Sequence, residues 1–213
     1  MNPTHKLVIL DRDGTINADS DDYIKSPEEW QPLPGSLEAI ARLNHAGWHV
    51  VVATNQSGLG RGLYDAAAFN AIHAKMNAAL ARVGGRVDAV FFCPHAPADG
   101  CGCRKPAPGL FEQIARRYGI ELAGVPAVGD SLRDLQAAAA AGCEPHLVLT
   151  GKSQGLDDAA GEALLARVPG STAHADLTQF AEFVVQRERR ARAAARGEAD
   201  EPDSDAGGLV TRV

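Results

Sequence analysis

Short apolar runs alternate with longer stretches of helical periodicity along the first 150 residues. Residues 6–10, 48–53 and 87–92 are of strand length and rich in leucine, β-branched and aromatic side chains. Residues 126–129 and 145–149 repeat that pattern more briefly. Between them, apolar positions recur at helical spacing over 35–46, where Leu37, Ile40, Ala41 and Leu43 share one side, and again over 65–83, 108–118 and 132–141. Asp65 is an N-cap type of residue, and Gly84-Gly85 and Gly119 are helix stops. Strands without polar interruption, separated by helices, predict a parallel sheet covered on both faces with right-handed crossovers. Further helices are expected over 157–167 and 176–196.

Composition narrows this picture. A chain of 213 residues with a 45% apolar share can build one ordinary core. We expect that domain over 1–186. Residues 187–213 then form a helix end, whose five arginines between 187 and 196 read as a solvated face, and a Gly-rich acidic tail that is expected to be disordered. A net charge of −6 argues against a nucleic-acid partner, which usually meets a basic face. Residues 1–5 are polar, the apolar run at 7–10 is too short for a signal segment, and no stretch approaches the ~20 apolar residues of a membrane span. The expectation is a cytoplasmic monomer with no membrane partner.

The chemistry gathers at strand ends, where open parallel sheets bind their ligands. The first strand ends in Asp11-Arg12-Asp13-Gly14-Thr15, the second in Thr54-Asn55-Gln56-Ser57-Gly58, the third in Cys93-Pro94-His95, and the fourth in Gly129-Asp130-Ser131 with Asp134 following. One such Asp is commonly a turn former; four polar ends on one rim are harder to explain that way. If the chain stays extended, Asp11 and Asp13 point to one side. Two close carboxylates need a cation or a shared proton. With Asp130 they offer hard oxygen ligands suited to Mg²⁺. A carboxylate can attack phosphorus, a second can move the proton, and Thr54 and Lys105 are of the types that hold a phosphoryl group.

Asp11-Arg12-Asp13-Gly14-Thr15, Thr54-Asn55-Gln56, Lys105 and Gly129-Asp130-Ser131-x-x-Asp134 resemble, in order and rough spacing, the four motifs of the haloacid dehalogenase (HAD) superfamily. The resemblance covers residues 6 to about 150. It implies a three-layer Rossmann-like α/β fold and a phosphatase passing through an aspartyl-phosphate. It assigns Asp11 as nucleophile, Asp13 as general acid/base, Thr54 and Lys105 as phosphoryl-binding groups, and Asp11, Asp13 and Asp130 as the magnesium site; Asp134 either joins that site or supports it.

Cys93, His95, Cys101 and Cys103 fall within eleven positions. Three thiols and an imidazole make a complete tetrahedral set, which predicts a structural Zn²⁺ rather than disulfides in a reducing compartment. The alternative is a reduced thiol cluster with an incidental histidine. Cys143 reads as a core residue. The loop leads directly into Arg104-Lys105, so clamping it would fix two cations beside the phosphate site. It resembles the loop of two sister groups in the superfamily, the heptose-bisphosphate and the histidinol-phosphate phosphatases, both lacking a large cap domain. The segment after Thr54 and the segment holding Asp19 and Asp22 resemble the heptose group, which implies a small phosphorylated sugar as partner. Asn55, Gln56, Ser57, Arg61 and Arg104 are the further candidate contacts. In that group a Lys is expected where Ser131 stands, so Arg104 or Arg61 would hold a second phosphate. Asp19–Asp22 and Arg61 read equally well as solvated surface. Trp30 reads as packing, and His5, His45, His49, His73, His146 and His174 show no ligand spacing.

Overall fold

The computed structural model of the protein describes residues 6–196. Six parallel strands form one sheet in the order β3-β2-β1-β4-β5-β6. They are β1 (Leu7–Leu10), β2 (His49–Asn55), β3 (Ala89–Cys93), β4 (Pro126–Gly129), β5 (Glu144–Val148) and β6 (Thr172–His174). The helices are α1 (Ser36–His45), α2 (Ser57–Gly60), α3 (Ala66–Arg82), α4 (Gly109–Tyr118), α5 (Leu132–Ala140), α6 (Asp158–Ala166) and α7 (Leu177–Ala195). Each predicted strand and helix is present, with ends displaced by a residue or two. Capping residues explain where several of them start and stop. Asp65 accepts from the Ala68 N–H at the head of α3, and Gly119 closes α4 in the left-handed conformation.

Alternation along the central strands builds the two faces. Val8 and Leu10, with Val50 and Val52, pack against Ile40, Ile72, Met76 and Phe180 of α1, α3 and α7. Leu7 and Ile9, with Val51 and Ala53, pack against Leu110, Ile114 and Ala137 of α4 and α5. Every residue of β1 and β4 is buried, the condition that produces uninterrupted apolar runs in sequence. Leu10 pairs with Val52 and Val128, so the three central strands end at one level. That shared level brings their polar ends together.

Strand β6 was not anticipated. It is three residues long and begins on an exposed threonine, so no apolar run marks it. Trp30 is buried in the core, as expected of a packing residue. The arginine-bearing half of α7 is helical, and no described helix is long and apolar enough to cross a membrane. The expected acidic tail lies outside the described residues. No further domain is inserted after β1 or β2, so the rim of the sheet opens directly to solvent among the described residues.

Candidate active site

The rim of the sheet carries an open, largely polar cleft of about 240 Å³. Asp11, at the end of β1, lies over the sheet with its N–H bonded to the Val128 carbonyl. Its Oδ1 accepts from the Arg12 N–H at 2.7 Å and from Lys105 Nζ at 2.9 Å. Lys105 is buried and also reaches Asp134 Oδ1 at 2.5 Å. Burial opposes its charge, but Asp11 and Asp134 outweigh that and raise its affinity for the proton.

One carboxylate oxygen from each of Asp11, Asp130 and Asp134 lies within 4.8 Å of the others. Burial first, then the Asp134 and Asp13 charges, push Asp11 up to about 7 against the pull of Lys105. Burial and the charges of Asp11 and Asp134 push Asp130 up to about 8. Three carboxylates thus face one ammonium. The donor set is all oxygen and short of positive charge, which fits a hard divalent cation. Asp134 has less freedom than its neighbours. Its Oδ1 is on Lys105, and its Oδ2 accepts from the Ser131 N–H and hydroxyl at the head of α5.

Asp130 is gripped from below. Its Oδ2 accepts from the Lys152 N–H at 2.6 Å, and its carbonyl accepts from the Ser153 hydroxyl. Gly14, at φ 80°, lets the first motif pass over it. A Cβ there would stand 2.1 Å from Asp130 Oδ2.

Asp13 does not join this carboxylate group. The chain turns at Arg12, whose carbonyl accepts from the N–H groups of Thr15, Ile16 and Asn17, so it does not stay extended as the sequence suggested. The Asp13 carboxylate instead meets a bidentate Arg12 guanidinium at 3.0 and 2.9 Å, Asn17 Nδ2 at 2.9 Å and Gln56 Nε2 at 2.7 Å. Arg12 is fully buried, a position not foreseen for a charged residue beside a strand end.

The second motif divides its work. Thr54 is buried and accepts from Gln56 Nε2 at 2.9 Å. Asn55 makes two bonds of 3.1 Å to the backbone of Lys105. Ser57, Asp19 and Arg104 line the cleft, whereas Asp22 and Arg61 do not. Ser20, Asp21, Tyr23 and Ile24 line it beside Asp19, and so do Arg133 and Lys152, which no motif marked. Lys152 Nζ bridges Asp19 at 3.0 Å and Asp21 at 2.5 Å, across the cleft mouth.

Cys93, His95, Cys101 and Cys103 converge beside the cleft, and all three cysteines are free thiols. Five separations among the sulfurs and His95 Nδ1 lie between 3.3 and 3.6 Å. A regular tetrahedron of that edge has its centre about 2.1 Å from each corner, close to the ~2.0–2.3 Å of Zn–N and Zn–S bonds. Against the opposing effect of partial burial, the Arg104 N–H and the neighbouring thiols hold Cys101 down at about 7. The set fits zinc. His95 also ties the loop to the cleft, its carbonyl accepting from Arg104 at 3.2 Å.

With this geometry in place, comparison with known proteins is informative. Residues 6–131 match the polynucleotide kinase 3 phosphatase family and residues 102–177 the HAD-hydrolase-like family. D-glycero-beta-D-manno-heptose-1,7-bisphosphate 7-phosphatase of Bordetella bronchiseptica is 68% identical over 149 residues, 70% of this chain and 83% of that protein. The chain belongs to the HAD superfamily, among the heptose-bisphosphate phosphatases. The same enzyme of Neisseria meningitidis serogroup A is 46% identical over 182 residues, 85% of this chain and 95% of that one. The crystal structure of D,D-heptose 1,7-bisphosphate phosphatase from B. bronchiseptica, complexed with magnesium and phosphate, superposes with a TM-score of 0.79 at 60% identity, covering 85% of this chain and 99% of that one. Family membership agrees with the three-layer parallel fold expected from the motifs.

Proposed function

We propose that this chain is a magnesium-dependent phosphatase that removes the 7-phosphate from D-glycero-D-manno-heptose 1,7-bisphosphate through an aspartyl-phosphate on Asp11. The observation that carries this reading is the group of Asp11, partly buried, with buried Lys105, Asp130 and Asp134, in a cleft lined by further cations. Relatives at 46–68% identity bear that enzyme's name.

Asp11 Oδ1 takes the bonds from Arg12 N–H and Lys105, which leaves Oδ2 to attack phosphorus. Asp13 gives a proton to the leaving C7 alkoxide and later takes one from the water that hydrolyses the acyl phosphate. Lys105 neutralises the phosphoryl oxygens, and Thr54, accepting from Gln56, keeps its own O–H to donate to them. Asp11 and Asp130 are the side chains that would hold Mg²⁺, with Asp134 between them and Lys105. Bound there, Mg²⁺ would neutralise charge on the transferring group. Zinc in the Cys93–Cys103 loop would be structural, holding Arg104 and Lys105 in place. Arg104 and Arg133 both line the cleft, and we assign the second phosphate to them. Arg61 lies outside the cleft, so it takes no part in this reading.

The test is a comparison of kcat/KM on heptose 1,7-bisphosphate and on histidinol phosphate, with the products identified. Magnesium-dependent release of one phosphate, leaving heptose 1-phosphate, is expected. Preference for histidinol phosphate, or release from neither, would overturn the assignment.

A further inference from the structure

Gln56 was expected to touch substrate, yet its amide is fully engaged inside the protein. Both Nε2 bonds point inward, to Asp13 Oδ2 at 2.7 Å and Thr54 Oγ1 at 2.9 Å. Its Oε1 accepts from the Tyr64 hydroxyl at 2.6 Å. Gln56 is 4% exposed and Tyr64 8%, so water competes little for either. An amide has one acceptor end and one donor end. If Gln56 were flipped, its carbonyl would face the Asp13 carboxylate, and its NH₂ would face a phenol. The Asp13 carboxylate, which only accepts, sets which end of the amide faces it, and the Tyr64 hydroxyl anchors the other end by donating to Oε1. Burial keeps the Tyr64 phenol protonated, pushing it up to about 12.

The backbone makes room for this arrangement. Tyr64 follows α2 after a short turn, and its ring lies against Gly58, where a Cβ would stand 2.5 Å from Tyr64 Cε1. The ring therefore approaches the Gln56 segment at a distance that no other residue at position 58 permits.

We infer that Tyr64 is a positioning residue: its hydroxyl anchors the carbonyl end of the Gln56 amide, and that amide holds the Asp13 carboxylate in the geometry for proton transfer. The inference rests on the role proposed above for Asp13. Arg12 and Asn17 hold Asp13 from the other side, so the carboxylate sits between two sets of donors. Without the phenol, Gln56 Oε1 loses this donor and the amide is held only through its Nε2 end. Asp13 then loses the one donor that also touches the phosphoryl-binding Thr54.

Tyr64→Phe removes the hydroxyl and keeps the ring. With heptose 1,7-bisphosphate, kcat should fall about tenfold with KM within about twofold of wild type, a part of the ~10²–10⁴-fold supplied by positioned proton transfer. With p-nitrophenyl phosphate, whose leaving group departs without a proton, the first-turnover burst followed by stopped flow should keep its wild-type rate. In a Gln56→Leu background, Tyr64→Phe should have no further effect, because both act on one bond chain. Unchanged kcat, a burst slowed as much as kcat, or an independent loss in the double variant would each overturn the inference. Wild-type enzyme is the reference. If it fails to hydrolyse the bisphosphate, the proposed function falls; full turnover by Tyr64→Phe removes only the role of Tyr64.

Discussion

The side chain of Asn55 and the backbone of Lys105 form a closed pair of hydrogen bonds, Nδ2 to the Lys105 carbonyl and Oδ1 from the Lys105 N–H, each 3.1 Å long. This joins the end of β2 to the loop that the cysteine cluster folds. Lys105 is thereby fixed from two directions: by Asn55 at its backbone and by Asp11 and Asp134 at its ammonium. Replacing Asn55 by Leu leaves both Lys105 backbone groups without these partners and loosens the ammonium. We expect kcat/KM to fall by about tenfold or more, an amount corresponding to ~1–3 kcal/mol for an unsatisfied buried polar group. Steady-state kinetics on the bisphosphate checks this, and an unchanged kcat/KM contradicts it.

The cysteine cluster leads into the same lysine. Elemental analysis should find about one zinc per chain in a tetrahedral site. Removing it with a strong chelator, then restoring only magnesium, should lower kcat/KM, because Arg104 and Lys105 follow Cys103 directly. Full activity in zinc-free protein would show that the loop holds its shape alone.

Asp11→Asn keeps the size of the side chain and removes its nucleophilic charge. Turnover should fall by at least about 10³-fold, as when other covalent nucleophiles are deleted. The fold should persist, because Asn can still accept from the Arg12 N–H, and two neighbouring carboxylates lose a repulsive partner. Far-UV circular dichroism and a thermal melt distinguish this from unfolding.

Much of this arrangement was legible in the sequence, for identifiable reasons. Parallel strands buried on both faces leave uninterrupted apolar runs, so the positions of Asp11, Thr54 and Asp130 at strand ends could be read directly. The cysteine cluster is compact in sequence, so its convergence needed no long-range knowledge. What was hidden depends on turns and distant contacts. The chain bends at Arg12, which parts the Asp13 side chain from Asp11 and buries a guanidinium that sequence alone would place in water. Gln56 lines the cleft, but nothing local shows Tyr64 folding back on it. Arg133 falls in a predicted helix with no motif to mark it, and Lys152 sits in a turn after β5 whose approach to residues 19–21 only the tertiary structure reveals.

Arg133 gives a direct test of where the second phosphate lies. Ser131 stands where a lysine was expected, and Arg133 on the first turn of α5 lines the cleft, as Arg104 does. Arg133→Ala should raise KM for the bisphosphate by about tenfold, the order of one partly exposed charge-assisted contact. It should leave kcat and the KM for a sugar monophosphate nearly unchanged. Equal effects on both substrates would place the second phosphate elsewhere. Arg61→Ala, outside the cleft, should affect neither.

The last prediction concerns stability. His146 and His174 are buried side by side under α7, with His146 Nδ1 3.0 Å from His174 Nε2 and both rings against Phe180 and Phe183. Burial, helped by His174 and Arg187, holds His146 down at about 3. His174 is lowered by burial, against the pull of Glu144. Glu144 Oε1 lies 3.5 Å from His146 Nε2, but it also pairs with Arg187, and that nitrogen has no hydrogen-bond partner among the described residues. The folded state therefore keeps His146 neutral, while the unfolded chain protonates it below about 6.5. Stability from this group is complete above that value and is lost as pH falls from about 6.5 toward 3. At pH 5 the loss amounts to about 2 kcal/mol, which for a chain of this size is a drop of about 4–8 °C in Tm. His146→Leu, measured over pH 7.5 to 4.5, should melt lower at neutral pH, where His174 loses its partner. Its Tm should then decline less steeply with acid than that of the wild type. Parallel slopes in the two proteins would show that other groups control the acid response.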